Sequence, residues 1–524
     1  MSQNLFPILL PTIKMMNAFS VVITDMERAG CAIDLEALDK LEHDTRERYD
    51  FVSRELTRLM EEVSGDTPIN LASGDDLSML IYSIKVKDKK QWKNLFNIGT
   101  EVRGSVKKKK RLKFFNDKQL KQIVKEQTEP FIKQRAEQCS VCHGAGKLKW
   151  IKKDGTEAKK LKRCTNSVCV NGVVYDSLGT RGGFGCTPLR SNTAVAGGFG
   201  TSADILQELA EVVTDERTKA FLTYMVEFGK LAHNLGTSID GVRRNIGRGS
   251  IVHSQFNQTV AATGRLSSSN PNIHNWERGT GFPIRRIVSS RWKGGKITKG
   301  DFSGLEFRVA VELSQDEQGK QDLAEGVDAH ERTRRILAEH GQSGTRQDAK
   351  ADTFKPLYGG TGGNAAQQAY YKFFLTQYTG IKRWHDQLQN NALSNGRLII
   401  PSGRIYKFRG VKRYPSGYVS QSTQIKNYPV QGFATADIVP ICAIEAWRLI
   451  QERELLSLLI NEVHDDIVID THPNELDIVP GLLYTAMMKA KTLLKHWYNY
   501  ELTVDLPVEI QQGPNWLDVE EVML

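Results

Sequence analysis

Asp301 and Asp465 are the residues whose type and setting first suggest chemistry. Asp301 lies where an apolar stretch, Lys296 to Phe302, gives way to a helical pattern that Ser303 opens and that runs through Leu313. Asp465 sits in the polar turn His464-Asp465-Asp466 between two short apolar runs in Leu455 to Asp470. Phosphoryl or nucleotidyl transfer commonly uses carboxylates so placed: two Mg²⁺ ions about 3.5–4 Å apart activate the attacking oxygen and hold the leaving group. Mg²⁺ prefers hard oxygen ligands and takes one or two protein carboxylates, leaving the remaining positions to phosphate and water. A capped turn and a helix-initiating aspartate are the plain structural alternatives. Glu306 carries a similar tension, because Ser303-Gly304-Leu305-Glu306 fits a capping box with Ser303 as N-cap and Glu306 at N3.

Arg346, Lys350, Phe354 and Tyr358 recur every four residues. On the helix expected over 346–358 they fall along one slowly drifting face. Lys and Arg are rarely buried without partners, so two cations followed by two aromatics make a poor core stripe. They suit a nucleotide, with cations for a triphosphate and aromatics for sugar and base. Solvated cations beside packed aromatics are the structural alternative. Pro356 removes the hydrogen bond to the Asp352 carbonyl and predicts a kink near the end of this helix.

Cys139-x2-Cys142 and Cys164-x4-Cys169, separated by 21 residues, hold four of the seven cysteines. Four thiolates at this spacing predict a structural Zn²⁺ site that folds a short segment with little core of its own. His143 is a possible substitute for one thiolate. Unliganded thiols are the alternative, and a redox pair is disfavoured because no thioredoxin-like strand precedes the first cysteine.

These residues need several elements to position them. The chain has 524 residues, enough for three to four domain-sized units, and 40% hydrophobic with 25% charged residues describes a globular protein. No run of eighteen apolar residues exists. Leu5 to Ile13 is interrupted by Pro7 and Pro11 and lacks a basic leader. Neither a membrane span nor a signal peptide is therefore expected, and the expected location is the cytoplasm. The formal net charge is +10, and its distribution says more than its sum. Lys85 to Arg163 contains 25 Lys+Arg and 8 Asp+Glu, a local charge of +17, and the remaining 46 basic and 53 acidic residues leave −7. Within that segment, Lys107, Lys108, Lys109, Lys110 and Arg111 form an unbroken basic run that ordinarily reads as a solvated face or a localisation tag.

Residues 15–84 read as largely helical, with Ser73 capping a helix through Leu80, and Asp204 to Leu235 forms a second helical block. Between them, Gly179 to Gly185 and Gly197-Gly198 read as a return linker. Strands mixed with long helices in the second half indicate an α+β or α/β architecture.

Taken together and in order, these segments resemble the A-family DNA polymerases, the group of bacterial polymerase I and many phage replicases. Asp301-Phe-Ser-Gly-Leu-Glu306-Phe-Arg308 resembles motif A, Arg346-x3-Lys350-x3-Phe354-x3-Tyr358-Gly359 motif B, and Val463-His464-Asp465-Asp466 motif C. Thr263-Gly264-Arg265-Leu266-Ser267-Ser268 with Pro271-Asn272-Ile273-His274-Asn275, and Asn427-Tyr428-Pro429-Val430-Gln431-Gly432, agree with the same family. The resemblance covers most of 15–84 and 190–524.

The resemblance implies an α+β right hand, with an antiparallel palm sheet, helical fingers and a helical thumb carrying a zinc-ribbon-like insertion. The expected divisions are 1–84 for the first part of the thumb, 85–190 for the basic four-cysteine insertion and 191–240 for the rest of the thumb. Residues 241–318 and 431–524 would form the palm, and 319–430 the fingers. The implied reaction extends a primer 3′-OH on template DNA with dNTPs and two Mg²⁺. Asp301 and Asp465 would hold metal, and Arg346, Lys350 and His330 the triphosphate, with Lys350 also a proton donor to the leaving pyrophosphate. Phe354 and Tyr358 would pack on sugar and base, Glu306 would exclude the ribose 2′-OH, and Arg265, Asn427, Gln431 and His464 would contact primer–template.

Asp466 replaces the glutamate of many relatives and is left out of the expected metal set. Lys355-Pro356 replaces a glycine-containing pair, and Phe354 implies discrimination against dideoxynucleotides. Next to a thumb, the run Lys107–Arg111 is expected to contact duplex phosphates or a partner. The thumb-like pattern Met26 to Asp34 arrives early. Expected from this are a chain without its own nuclease and any exonuclease as a separate subunit. The thumb insertion, as in some phage relatives, implies a processivity factor as a further partner, and the phage-like motif variants and compact gene imply a phage source. The competing readings are a single-subunit RNA polymerase, which Glu306 disfavours, and a non-catalytic zinc-bearing DNA-binding factor.

Overall fold

The computed structural model describes residues 6–103, 106–110, 112–152, 156–360 and 362–524. It divides into two compact units, Met1–Glu42 with Gly236–Leu524, and His43–Leu235.

The first unit is built on a five-stranded sheet. Its order is Leu458–Val463, Asp466–Thr471, Lys296–Phe302, Val508–Gly513 and Glu520–Glu521, with every pairing antiparallel. The three central strands are rich in β-branched residues, and Ile297, Ile467, Ile469 and Ile510 are buried. Gly300 is required by close packing: a Cβ there would lie 2.4 Å from Met487 Sδ, on the helix Val479–Met488 that covers this face. Register brings Asp301 opposite Asp466, at the end of the strands where the turn His464-Asp465 joins the hairpin. Helix Leu305–Ser314 leaves the same end of Lys296–Phe302.

A long helical run, Ser422–Phe433, a π-helical turn Ala434–Ile438 and Val439–Glu452, crosses this unit. Helices Ala329–Glu339 and Arg346–Thr353 pack against each other. The nucleotide-facing helix expected over 346–358 is interrupted. It ends at Thr353, and a 3₁₀ turn Pro356–Tyr358 closes at Gly359, which has φ +79°. Pro356 has no N–H for the Asp352 carbonyl, and Lys355 N–H donates there instead at 3.2 Å. The proline therefore terminates the helix rather than kinking it, so that Tyr358 lies on the 3₁₀ turn and not on the helix of Arg346 and Lys350.

Residues Pro7–Ala29 form one helix, with Pro11 inside, that is long and apolar enough to cross a membrane by length and composition. The sequence expectation of no such segment is corrected to that extent. Met15, Phe19, Val22, Ile23 and Met26 on this helix are buried in the first unit, and the helix packs on Val439–Glu452 and Leu458–Val463.

The second unit shares one core between the expected thumb and the expected insertion. Leu56, Leu80, Phe199 and Phe221 are buried with Trp92, Phe96, Leu120 and Phe131 from the basic segment. Helices Ala203–Val212 and Glu216–His233 pack together. Ser73 caps Gly74–Tyr82 as expected, its side chain accepting from Asp76 N–H. Residues 179–181, read as linker, instead finish a strand, Val173–Arg181, which pairs with Ile132–Gln138. The cysteine segment leaves and re-enters through this ladder, whose last pair is Gln138 and Val173.

Candidate active site

Asp301, Asp465 and Asp466 converge at one end of the sheet, each offering a carboxylate oxygen within 4.8 Å of the others. The αL conformation of His464, φ +62°, lets the hairpin turn tightly enough to bring Asp465 over the strand end. Asp466 is fully buried, and among the described residues neither of its carboxylate oxygens has a hydrogen-bond partner, nor does Asp301 Oδ1. Burial and the neighbouring Asp466 and Asp465 charges push Asp301 up to about 8, and burial raises Asp466 as well. Clustered carboxylates whose buried oxygens at Asp301 and Asp466 accept no hydrogen bond among the described residues are a donor set that a divalent cation satisfies. The residues therefore fit Mg²⁺, and the fit includes Asp466, which the sequence reading left out. The ladder sets the short Asp466 side chain directly opposite Asp301.

Two cations here escaped the sequence reading. Arg278 Nη2 lies 3.2 Å from Asp465 and 3.4 Å from Asp466. Arg285, 3% exposed, lies 3.9 Å from Asp466 and stacks 4.2 Å over the Trp516 ring. Burial and the nearby Arg278 charge push Arg285 down to about 10. Both arginines sit in a stretch of loops and 3₁₀ turns with no periodic spacing, so position between the His274 stretch and Asp301 was the only signal available.

The predicted capping box at Ser303 does not form. The N-cap is Gly304, with φ +65°, and the Ser303 hydroxyl donates to Glu509 at 2.6 Å. Glu306 is instead bonded to Arg265, whose Nε donates to Thr435 Oγ1 at 2.7 Å from the π-helical turn. Burial raises Glu306 from the usual carboxylate range and the Arg265 guanidinium opposes the rise.

Phe354 stacks on Phe307 of helix Leu305–Ser314, with ring centroids 5.2 Å apart, which ties the cation-bearing helix to the strand end that holds Asp301. His330 packs edge-on against Phe354, and its Nδ1 lies 2.9 Å from Thr353 Oγ1. Burial, then the Arg346 and Lys350 charges, push His330 down. Arg346 Nε also donates to Asp328 at 2.6 Å, the N-cap of the His330 helix. Lys350 is exposed and Tyr358 half-buried. On Ser422–Phe433, Asn427 and Gln431 are one turn apart, and the buried Asn427 Oδ1 has no hydrogen-bond partner among the described residues. His464 is exposed at the hairpin tip.

In the second unit, Cys139, Cys142, Cys164 and Cys169 bring their Sγ atoms within 4.8 Å of one another. Cys139–Cys164 and Cys142–Cys169 are 3.8 and 3.7 Å apart. A disulfide needs about 2.05 Å. Sulfurs tetrahedral about zinc at about 2.3 Å stand about 3.8 Å apart, which these spacings match. Gly146 N–H and Asn166 Nδ2 point at Cys142 and Cys139 sulfur, at 3.3 and 3.6 Å, as they would at thiolates. His143 belongs to the segment but not to the four-sulfur cluster. Of the basic run, Lys109 and Lys110 are exposed, only the backbone of Lys107 and Lys108 is described, and Arg111 lies outside the described residues.

A family model for DNA polymerase family A matches residues 175–518, which include every residue of the carboxylate site and none of the four clustered cysteines. The chain belongs to that family. Among curated relatives of this polymerase family, DNA polymerase I of Bacillus subtilis is 26% identical over 347 residues, covering 62% of this chain and 37% of that protein. DNA polymerase I of Chloroflexus aurantiacus is 28% identical over 343 residues, covering 61% and 34%. The chain thus spans little more than a third of the length of these relatives. In fold it is similar to the POL domain of Pol1 from M. smegmatis, solved in complex with DNA primer-template and dNTP, with TM-score 0.64 and 18% identity over 96% of this chain and 70% of that one.

Proposed function

We propose that the chain is a template-directed DNA polymerase that adds dNTPs to a primer 3′-OH. The observation that carries this is the group of three carboxylates from two neighbouring strand ends, joined through the Phe307–Phe354 stack to a helix bearing Arg346 and Lys350. Asp301, Asp465 and Asp466 would hold Mg²⁺, which when bound supplies Lewis-acid stabilisation of the reacting phosphoryl group. Arg346, Lys350 and His330 bind the triphosphate, and Lys350 would protonate the departing pyrophosphate. Phe354 and Tyr358 pack against sugar and base. Glu306, held by Arg265, closes the space a 2′-OH would need. Asn427, Gln431, His464 and Arg265 line the primer–template side, where Asn427 Oδ1 awaits a donor. Minor-groove acceptors common to all base pairs suit an enzyme that accepts every sequence.

Zn²⁺ on Cys139, Cys142, Cys164 and Cys169 is structural in this reading, and the run Lys107–Arg111 contacts duplex phosphates. The decisive experiment is primer extension with Mg²⁺, comparing dNTPs with NTPs. Extension with dNTPs is expected, and Asp465→Ala should lower it about 10³-fold or more, because several kcal/mol of charge stabilisation is lost. DNA binding by Asp465→Ala should persist. Wild-type protein that binds DNA without extending it would establish the non-catalytic alternative, and preference for NTPs the RNA polymerase.

A further inference from the structure

The cysteine cluster clamps the base of a cationic hairpin. Strand Lys147–Leu148 begins directly after Gly146, whose N–H points at Cys142 Sγ, and strand Lys162–Arg163 ends directly before Cys164, whose N–H donates to Gly146 O at 3.1 Å. Between those strands the hairpin is held by the Trp150 indole, which donates to Lys160 O at 2.9 Å, and by Ala158 N–H to Trp150 O at 3.0 Å. Lys162 Nζ lies 3.8 Å over the Trp150 ring. From Lys147 to Arg163 the sequence has eight Lys+Arg against two Asp+Glu.

The register makes this charge conspicuous. Lys147 and Arg163 are direct cross-strand partners, and both are exposed. Like charges directly opposite each other destabilise a strand pair. Among the described residues of the hairpin, one ion pair, Lys149–Glu157 at 3.1 Å, relieves part of it. The hairpin has almost no core to offset the repulsion, since Ala158 is its one buried side chain among the described residues. A four-thiolate zinc centre carries a formal −2 charge, and here it would adjoin Lys147 and Arg163 at the base. It would therefore both hold the strands and lessen their repulsion.

We propose that this clamped hairpin is a phosphate-gripping finger for duplex DNA, positioned by zinc. Exposed Lys and Arg on both faces of a short ribbon recognise a polyanion by charge, without sequence preference. The inference deepens the polymerase reading by naming a second contact to its primer–template. It does not depend on catalysis, because binding can be measured without nucleotide.

The test is fluorescence anisotropy of the full-length protein on a primer–template duplex across a salt series. Each lost phosphate contact lowers the slope of log K against log salt by about 0.9. The variant combining Lys147→Gln, Lys160→Gln, Lys162→Gln and Arg163→Gln should lower that slope by about 2–4. Cys164→Ser, or zinc chelation, should lower it comparably. The double variant Lys147→Arg with Arg163→Lys keeps the charge and should keep the slope. Zinc content and melting temperature of the glutamine variant establish that it is folded. An unchanged slope in a folded, zinc-loaded glutamine variant overturns the proposal and turns the surface over to a protein partner. Failure of the wild type to extend a primer, with this slope change intact, would overturn the polymerase reading alone.

Discussion

Arg278 reaches both Asp465 and Asp466, so it competes with any divalent cation for the same oxygens. A charge-assisted contact of this kind is worth about 1.5–3 kcal/mol. Arg278→Met should accordingly raise Mg²⁺ or Mn²⁺ affinity about tenfold in the absence of nucleotide and DNA, as read by calorimetric titration. An unchanged affinity would mean that Arg278 does not oppose the metal. Glu306 gives a second expectation. Glu306→Ala removes the carboxylate proposed to block a 2′-OH and leaves Arg265 with Thr435. The ratio of kcat/KM for dNTP over NTP should fall by about 10–100-fold in single-nucleotide insertion. At this scale the sequence was readable where a residue sits in a short pattern, as Asp301 and Asp465 do. For Asp466 the sequence leaves the role open, because side-chain reach depends on the strand register that sets it opposite Asp301. It was silent on Arg278, since a lone arginine in a loop has no spacing to read.

Helix Arg346–Thr353 is anchored through Asp352, which accepts from Tyr371 Oη at 2.9 Å, Gln367 Nε2 at 3.0 Å and Lys355 Nζ at 3.1 Å. Burial alone would raise this carboxyl, but the bonds from Gln367, Lys355 and Tyr371 outweigh it and hold it below the usual range. A depressed carboxyl stabilises the fold above its unfolded-state value of about 3.9, and that contribution is lost as pH falls through the lower folded value. Asp352→Ala should therefore destabilise by about 2–4 kcal/mol at pH 7 in urea titration, with the difference shrinking below about pH 4. A difference that persisted into acid would assign the effect to packing. The existence of this helix followed from its four-residue spacing, and its early end did not. Four-residue periodicity continues through Phe354 and Tyr358 whether or not the backbone does, and Pro356 was weighed as a kink although the 3₁₀ turn it starts leaves the helix. The Ser303 capping box failed for a comparable reason. A local pattern predicted a local bond, while Glu509 and Arg265, both distant in sequence, supplied stronger partners.

Across the whole chain, net charge located the unusual segment but gave wrong edges for it. Lys85 to Arg163 carries the basic surplus, yet Trp92, Phe96, Leu120 and Phe131 from it are buried in the core with Leu56 and Phe221. Burial, unlike charge, depends on contacts between distant residues, and no composition shift marks them. Removing residues 100–180 would take Leu120 and Phe131 with it and should unfold the second unit. Replacing 139–172 with Asn-Gly, which joins the paired Gln138 and Val173 by a two-residue turn, should leave the melting temperature of the chain within about 5 °C. On the polymerase reading it should also shorten the product made per binding event on a trapped template. Unchanged product length would remove the cysteine segment from that role. The ladder that ends in Gln138 and Val173 has a consequence for how such a chain can vary. Neighbouring strands hold the two ends of the segment about 5 Å apart whatever lies between them. Doubling the length of an intervening stretch adds only about 0.6 kcal/mol of closure entropy. The junction thus works as a socket, whose contents can change in length without moving the paired strands that hold it.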